Sequence, residues 1–380
     1  MKNIRYGLAL MAAVLMLSGC GKGDELNKEG LRLYGEGKFT EAVTQFEAAI
    51  VEDNKEPAYY NNMGMAYLEL KMYDAAESAF QMALSLEEED KTAYRGLGIL
   101  QLREGNYKEA VTSFAKAIEL AGNKIGEAEY DCMLYKAEAE LGMEDYTAAI
   151  STYGALVGAD GKNVDYRYLR GRAYLMQGSL EDALGEFDAG IAHAPKDYDY
   201  YMNIYALLNA RGYAEEGKDY LKSALTIGGD SDEVHLYRGE IQYLLGNCSS
   251  AIAEYNAVKG KMSSRHLLYL GLSYTQMGDT ANAYDTYMRA VEQEADNAAI
   301  YEELGRMKME EGDYRMAINF FEQGIALNDP DLLWNMKYSE AICYEYLHDY
   351  GTALQKFEAL NAQFGERPEV THEIEFLKTR

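Results

Sequence analysis

Hydrophobic and small residues recur along this chain at intervals of 34 positions. In one representative segment they stand at Tyr60, Met63, Gly64, Tyr67, Tyr73, Ala76, Phe80 and Ala83. The first four and the last four each follow the three-to-four-residue spacing of one apolar helix face. The pattern predicts two amphipathic helices per segment, joined by a short turn. Each helix pair needs a neighbouring pair to bury its apolar face.

Ten such repeats fit between residues 23 and 367. Their predicted starts are residues 23, 57, 91, 130, 164, 198, 232, 264, 298 and 334. This register requires a five-residue insertion at 125–129, a two-residue insertion at 332–333 and a seventh repeat two residues short. Residues 368–380 then remain as a single helix that we expect to cap the last apolar face.

Four positions within the repeat restrict the residue type. Position 8 is Gly or Ala in nine repeats, and position 20 is Ala in nine repeats and Gly217 in the other. Position 24 is Phe, Tyr or Leu in all ten repeats, which predicts that a large side chain packs into the space left by the small ones. Position 15 is Gly in seven repeats, which predicts a left-handed end to the first helix.

This repeat resembles the tetratricopeptide repeat, and the resemblance covers about nine tenths of the chain. It implies an all-α fold, a right-handed superhelical solenoid of about ten helix-turn-helix repeats with a C-terminal capping helix. The sixth repeat departs from the pattern, because Tyr205 occupies its small eighth position. Either Gly217 opposite accommodates this bulky residue, or the chain bends there between two functional arms. The sequence leaves both interpretations open.

The first twenty residues have the layout of a secretory signal, with Lys2 and Arg5 followed by an apolar run of twelve residues. A membrane-spanning helix needs about 20 apolar residues, so this run is too short to be one. Leu17-Ser18-Gly19-Cys20 resembles the bacterial lipobox. The resemblance implies a lipoprotein signal peptide at 1–19, a lipidated Cys20 that starts a short linker at 20–22, and a lipid-anchored protein on the extracytoplasmic side of the cell membrane.

Composition and charge narrow the choice of partners. The chain is 48% hydrophobic with only 4 Pro, as expected of a folded, helical protein. Its net charge of -27 would repel a phosphate backbone, so we do not expect nucleic acid binding. A basic protein or peptide is the favoured partner. The acidic run at residues 87–90 is either a solvated turn or a docking point for such a partner.

The chain shows no catalytic or metal-binding motif. No two of its five histidines are four residues apart, as a helical zinc pair would require, so we predict no metal site. The cysteines at 132, 248 and 343 lie in different repeats, too far apart for a disulfide, and we expect them to be buried. A nucleophile elbow and a phosphate-binding loop are also missing. We therefore predict no enzyme activity and no cofactor.

In tetratricopeptide proteins the first helix of each repeat lines a concave groove, and ligands contact mainly positions 2, 5, 6, 9, 12 and 13. Carried over to this chain, the resemblance implies a partner-binding groove that includes Asn27, Asn61, Asn62, Arg95, Arg103, Tyr168, Arg172, Asn203, Tyr243, Arg306 and Tyr338. The first three repeats lack the pattern by which chaperone adaptors of the family grip a C-terminal carboxylate. Arg95 and Arg172 could each bind a partner's carboxylate or pair with a neighbouring acid.

Tyrosine is abundant, with 34 in the chain. Six of them crowd the fifth and sixth repeats: Tyr166, Tyr168, Tyr198, Tyr200, Tyr205 and Tyr213. They could fill the core or form a binding surface. The leading hypothesis is a membrane-anchored scaffold or adaptor for proteins of the cell envelope. The alternative is a lipoprotein that binds a glycan or solute in a tyrosine-rich groove, and a weaker third hypothesis is an enzyme with an unrecognised site.

Overall fold

A computed structural model describes residues 21–122 and 125–380, and every regular element in these ranges is an α-helix. The helices form ten consecutive pairs and a final single helix. They are α1 (Lys22–Gly35), α2 (Phe39–Glu52), α3 (Pro57–Glu69), α4 (Tyr73–Leu86), α5 (Lys91–Arg103), α6 (Tyr107–Ala121), α7 (Glu127–Gly142), α8 (Tyr146–Ala159), α9 (Val164–Gln177), α10 (Leu180–His193), α11 (Tyr198–Ala210), α12 (Ala214–Ala224), α13 (Asp232–Leu244), α14 (Cys248–Ala257), α15 (Ser264–Gln276), α16 (Thr280–Gln293), α17 (Ala298–Glu310), α18 (Tyr314–Ala326), α19 (Leu333–Tyr346), α20 (Tyr350–Phe364) and α21 (Pro368–Leu377). The predicted all-α fold is confirmed.

The helices form two compact units, divided between Asp197 and Tyr198. The N-terminal unit contains α1 to α10 and the C-terminal unit contains α11 to α21. Within the N-terminal unit, in the α11–α12 pair and from α13 to α21, consecutive helices pack against each other and are joined by short connections. Helix α7 begins at Glu127, inside the predicted insertion, because the Glu129 side chain accepts a hydrogen bond of 2.8 Å from the Gly126 N–H and caps the helix there.

The residue at position 15 has a positive φ in every helix pair, which confirms the predicted left-handed end of the first helix. Glycine fills the position in seven pairs. The other three have Lys71, Glu144 and His348, with φ of 58°, 60° and 60°. A non-glycine residue pays a steric cost in this region of about 1 kcal/mol, so these three turns are strained relative to the other seven.

The core is built from the predicted contact between a large and a small residue. A Cβ atom added to Gly64 would lie 2.6 Å from Cε1 of Phe80, and one added to Gly98 would lie 2.7 Å from Cε1 of Phe114. The rings at position 24 are fully buried, as are the alanines at position 20 that lie beside them. The small residue at position 8 therefore lets the aromatic ring of the second helix rest directly on the backbone of the first.

One of these rings also joins two repeats. Phe80 of α4 lies against Gly64 of α3 and against Gly96 of α5, the first helix of the next repeat. Both glycines are buried, and the ring has no exposed surface. A side chain at either glycine would overlap the ring, so Phe80 holds two first helices in register.

The sixth repeat accommodates its exceptional tyrosine. A Cβ atom added to Gly217 would lie 3.1 Å from Cδ2 of Tyr205, so the absence of a side chain at Gly217 makes room for the ring. Leu221, which replaces the usual aromatic residue at position 24, is fully buried. These contacts agree with the interpretation that Gly217 accommodates Tyr205.

The last helix, α21, buries Val370, Ile374 and Leu377 in one cluster with Phe357 and Leu360 of α20. The three cysteines of the described residues are buried and free, as expected. Among the helices of residues 21–122 and 125–380, none combines the length and the apolar character needed to cross a bilayer. The predicted signal peptide and Cys20 lie outside the described residues.

Candidate functional site

The first helices of successive repeats in the N-terminal unit are joined by polar side chains. Asn62 of α3 donates a hydrogen bond of 2.8 Å to Oδ1 of Asn27 on α1. Tyr59 donates one of 2.7 Å to Asp24 of the same neighbouring helix. The face formed by α1, α3, α5, α7 and α9, which we call the N-terminal first-helix face, is therefore connected by side-chain bonds from one repeat to the next.

Helix α5 is the basic element of this face. It carries three cations and no carboxylate, although the whole chain is strongly acidic. Each cation binds an acid on an adjacent first helix: Lys91 binds Glu129 at 2.7 Å, Arg95 binds Asp131 through Nε at 2.9 Å, and Arg103 binds Glu69 at 2.8 Å. Helix α5 is thus held between the acids of α3 and α7.

The charges of this helix and of Glu69 act on tyrosines of two other repeats. Burial raises the pKa of Tyr34 to about 12, Glu69 raises it further, and Arg103 and Arg95 oppose the rise. Burial also raises the pKa of Tyr135, and the charges of Arg95, Arg103 and Glu69 act on that phenol as well. The two tyrosines, from the first and fourth repeats, therefore both lie within electrostatic range of the same charged groups. We call Tyr34, Glu69, Arg95, Arg103 and Tyr135 the tyrosine–arginine site.

The sequence prediction found only the two arginines of this site. It missed Tyr34, Glu69 and Tyr135, and also Asp131, the partner of Arg95. A signal for all four was present, because they occupy positions 12, 13, 6 and 2 of their repeats. What the sequence could not show is that side chains of the first and fourth repeats face the same charges.

Arg172 of α9 is bound to Glu138 of α7, at 2.5 Å between Nη2 and Oε1. The same Glu138 oxygen accepts a hydrogen bond of 2.7 Å from the hydroxyl of Tyr153, whose ring lies in the core. The Arg172 charge acts on the Tyr168 phenol, and the Tyr168 ring centroid lies 5.9 Å from that of Phe187. Arg95 and Arg172 therefore both adopt the second arrangement that the sequence left open, pairing with an acid of a neighbouring repeat.

Asn61 does not belong to a binding surface, contrary to the prediction. Its side chain is buried, 3% exposed, and donates a hydrogen bond of 2.5 Å to Asp90. Asp90 in turn caps α5 by accepting a hydrogen bond of 2.8 Å from the Thr92 N–H. Position 5 of the second repeat thus faces the next repeat. Asp90, the last residue of the acidic run at 87–90, therefore has a structural role and is not a docking point.

In the C-terminal unit the predicted residues are spread over four repeats. Asn203 is exposed, and the Tyr243 ring lies 5.2 Å from that of Tyr269. Arg306 binds Glu303 and Glu310, both at 2.5 Å. Tyr338 stacks on the only tryptophan, Trp334, with centroids 5.1 Å apart.

Two members of the tyrosine cluster in the fifth and sixth repeats are core residues. Tyr198 and Tyr200 are 6% and 4% exposed, and the Tyr198 hydroxyl donates a hydrogen bond of 3.3 Å to the Ile227 carbonyl. They are therefore unavailable to a ligand, and the glycan-binding alternative loses part of its basis. Within residues 21–122 and 125–380, no group of three or more His, Cys, Asp or Glu side chains is arranged to hold a metal ion.

Models of the tetratricopeptide repeat match residues 55–123, 135–198, 267–297 and 298–331, which together make just over half of the chain. A TPR repeat-containing protein of Methanocaldococcus jannaschii is 23% identical over 308 residues, covering 76% of this chain and 53% of that protein. DnaJ protein P58IPK homolog B of Oryza sativa subsp. japonica is 31% identical over 160 residues, covering 37% of this chain and 34% of that protein. The chain thus spans about half of the first relative and a third of the second.

Among solved structures, a tetratricopeptide repeat protein from Parabacteroides merdae is similar, with 16% identity and a TM-score of 0.45 over 67% of this chain and 99% of that one. The repeat models match both units of the present structure. The structure agrees with the matches to the repeat models. It consists of helix pairs, with a small residue at position 8 in most pairs and a left-handed turn at position 15. The chain therefore belongs to the tetratricopeptide repeat family.

Proposed function

We propose that this protein is a membrane-anchored scaffold of the bacterial cell envelope, which binds a segment of a partner protein at the tyrosine–arginine site. Tetratricopeptide repeat proteins are typically protein-interaction scaffolds and are generally not enzymes.

The observation that carries the proposal is the Arg103–Glu69 ion pair between two first helices, which lies within electrostatic range of a tyrosine from the first repeat and one from the fourth. Tyr34 and Tyr135 are half-buried, and the charges of Glu69 and Arg103 act on both phenols. Tyrosine offers a large, rigid, amphipathic surface at a low entropic cost, and arginine stacks and donates several hydrogen bonds at once. A site drawn from several repeats can contact an extended segment along its length.

The charges at this site favour a partner segment that is neutral where it meets α5. Arg95 and Asp131 are each only 17% exposed, and Arg103 is bound to both Glu69 and the Leu68 carbonyl. A carboxylate of the partner would have to displace an acid that is already in place. Peptide groups and apolar side chains can instead pack against the two tyrosines without breaking these pairs.

Residues 1–20 support the membrane anchor, because they carry both a signal-like apolar run and the lipobox-like sequence that ends at Cys20. The net charge of -27 would repel anionic lipids, so durable attachment requires a hydrophobic group. Two or three acyl chains provide it, at about 0.8 kcal/mol per buried methylene. In Cys20→Ser the protein should no longer incorporate labelled fatty acid and should leave the membrane fraction. Unchanged incorporation would contradict the anchor.

Partner binding is tested by affinity purification from detergent-solubilised membranes. We expect the full chain to recover a stoichiometric protein, and the double variant Tyr34→Leu/Tyr135→Leu to lose most of it. Tyr107→Leu removes a tyrosine of the same unit that lies at the start of a second helix, and it should leave recovery unchanged. Equal recovery by both variants would refute the site, and no protein above a control carrying only residues 1–22 would refute the scaffold.

A further inference from the structure

We propose that the cavity between α18, α19 and α20 binds a small zwitterion, an α-amino acid with an apolar side chain. This cavity belongs to the C-terminal unit. None of its lining residues occupies one of the groove positions 2, 5, 6, 9, 12 and 13 of a repeat. The inference goes beyond the proposed scaffold function and does not depend on it.

The cavity has a volume of about 320 Å³ and is lined by two second helices, α18 and α20, and by the first helix α19. Small-molecule sites in proteins typically measure about 300–1,000 Å³, so this cavity has room for one small ligand. Part of the lining is apolar and consists of Ile325 of α18 and of Ala359 and Leu360 of α20. The rest of the lining is charged.

The cavity occurs where the tenth repeat departs from the core pattern. In the ninth repeat, positions 4 and 7 are Tyr301 and Leu304, which are 3% and 0% exposed and belong to the core. In the tenth repeat the same positions are Lys337 and Glu340, and both line the cavity. A buried charge is costly compared with an apolar residue of similar size. Proteins keep such departures mainly at functional sites, which favours a binding role for this cavity.

Two acids and two lysines line the cavity: Glu322, Glu340, Lys337 and Lys356. Glu340 is 2% exposed and accepts a hydrogen bond from Lys356. Burial raises the pKa of Glu340, Lys356 opposes this rise, and the charge of Glu322 adds to it. Glu322 is exposed and has no ion pair with a cation of the described residues. The cavity therefore offers one carboxylate that a ligand cation can bind without displacing a lysine.

The two lysines have hydrogen-bond donors to spare. An ammonium group has three N–H donors, and each lysine uses one of them on a side chain of the described residues. Lys356 donates to Glu340, and Lys337 donates to the amide oxygen of Gln363 at 2.5 Å. The remaining donors of both ammonium groups can bind the carboxylate of a ligand.

This set of charges selects a ligand that carries both signs. An amine without a carboxylate would be repelled by the two lysines, and a carboxylate without an amine would be repelled by the two acids. An α-amino acid satisfies both, with its carboxylate at Lys337 and Lys356 and its ammonium group at Glu322. Its apolar side chain can then pack against Ile325 and Leu360.

Isothermal titration calorimetry with the full chain tests the proposal, with L-alanine, L-valine, L-leucine, L-isoleucine, L-methionine and L-phenylalanine as the probes. We expect saturable binding of at least one of the six. The methyl ester of the tightest-binding amino acid lacks the carboxylate charge, and its N-acetyl derivative lacks the ammonium charge. Each derivative should bind about tenfold more weakly or worse, because it loses one of the two ionic contacts.

Two variants locate the binding in the cavity. Lys337→Tyr/Glu340→Leu introduces the residues of the ninth repeat, so it should fill the cavity and abolish binding while circular dichroism remains helical. Glu322→Gln removes only the exposed carboxylate and should weaken binding about tenfold. The matched control, Glu292→Gln, makes the same change of charge at an exposed residue of α16 and should bind within about twofold of the wild type.

The absence of saturable binding by all six amino acids would overturn the inference. Undiminished binding by Lys337→Tyr/Glu340→Leu would place the ligand elsewhere, and equal weakening by Glu322→Gln and Glu292→Gln would mean that only net charge matters. Equally tight binding of the ester or of the N-acetyl derivative would contradict a zwitterion site. The recovery of a partner protein does not enter these measurements, so the scaffold proposal stands or fails separately.

Discussion

Replacing Gly96 with alanine should destabilise the N-terminal unit. The substitution normally stabilises a helix interior by about 1 kcal/mol, since alanine has the higher helix propensity. At Gly96, however, the new methyl group would overlap the Phe80 ring. The ring cannot move aside, because it lies against Gly64 on the other first helix and is fully buried.

The expected magnitude follows from these two opposing effects. Overpacking a core costs about 1–3 kcal/mol, and a ring confined between two helices should be near the upper end of that range. Subtracting the gain in helix propensity leaves a net loss of about 2 kcal/mol in the free energy of unfolding. The separation of α3 from α5 should also increase, because both helices contact the same ring.

Guanidinium denaturation followed by circular dichroism measures the change, and hydrogen exchange of the α3 and α5 amides locates it. The matched control is Gly185→Ala in the middle of α10, where an added Cβ would meet no atom within 4 Å. We expect this control to stabilise the protein by about 1 kcal/mol. If Gly96→Ala stabilised the protein by the same amount as Gly185→Ala, the argument that Phe80 fixes the register of two repeats would be wrong.

Three further predictions concern the turns, a histidine and a cysteine. Lys71→Gly should raise the free energy of unfolding by about 1 kcal/mol in chemical denaturation, because it relieves a left-handed residue, whereas Gly105→Lys at the equivalent position should lower it by a similar amount. The ring nitrogens of His235 lie 2.7 Å from a Glu254 oxygen and 3.1 Å from an Asp230 oxygen, so the protonated ring donates to both carboxylates, and these bonds raise its pKa above the usual value. The stabilising contribution of His235 is therefore complete below about pH 6.5 and is lost as the pH rises through the higher folded pKa. Thermal melts should show this pH dependence in the wild type, and His235→Gln should remove it. Identical pH profiles of the melting temperature for the two proteins would contradict the assignment. Burial raises the pKa of the Cys132 thiol to about 12, so iodoacetamide should label it only after unfolding, and labelling of the native protein at the rate of a free thiol would disprove its burial.

The repeat pattern predicted the local packing well, because the relevant contacts lie within one helix pair. Gly64 and Phe80 are sixteen residues apart, and their contact depends only on two helix periods and a short turn. The left-handed turns were predicted where glycine occupies position 15. Lys71 shows that the backbone keeps the same conformation without glycine, which composition alone does not reveal.

The side-chain arrangement of the first-helix faces was harder to predict, because it depends on the relation between repeats. The sequence predicted that Arg95 and Arg172 could pair with a neighbouring acid, but their partners Asp131 and Glu138 could be identified only once adjacent first helices were in place. The prediction that Asn61 lies in the groove was wrong for the same reason, because position 5 of its repeat faces Asp90 instead. A period defines which face of a helix is exposed on average, and the rotation between neighbouring repeats decides each individual position.

The bond between Tyr153 and Glu138 has an implication for how new specificity can arise in this chain. Six of the ten repeats have phenylalanine where Tyr153 stands, so the two states differ by a single oxygen atom at a site that the core already tolerates. That atom reaches a carboxylate of the first-helix face while its ring remains inside. One nucleotide change can therefore alter the chemistry of an outer surface from within the interior, with no insertion and no exposed residue replaced.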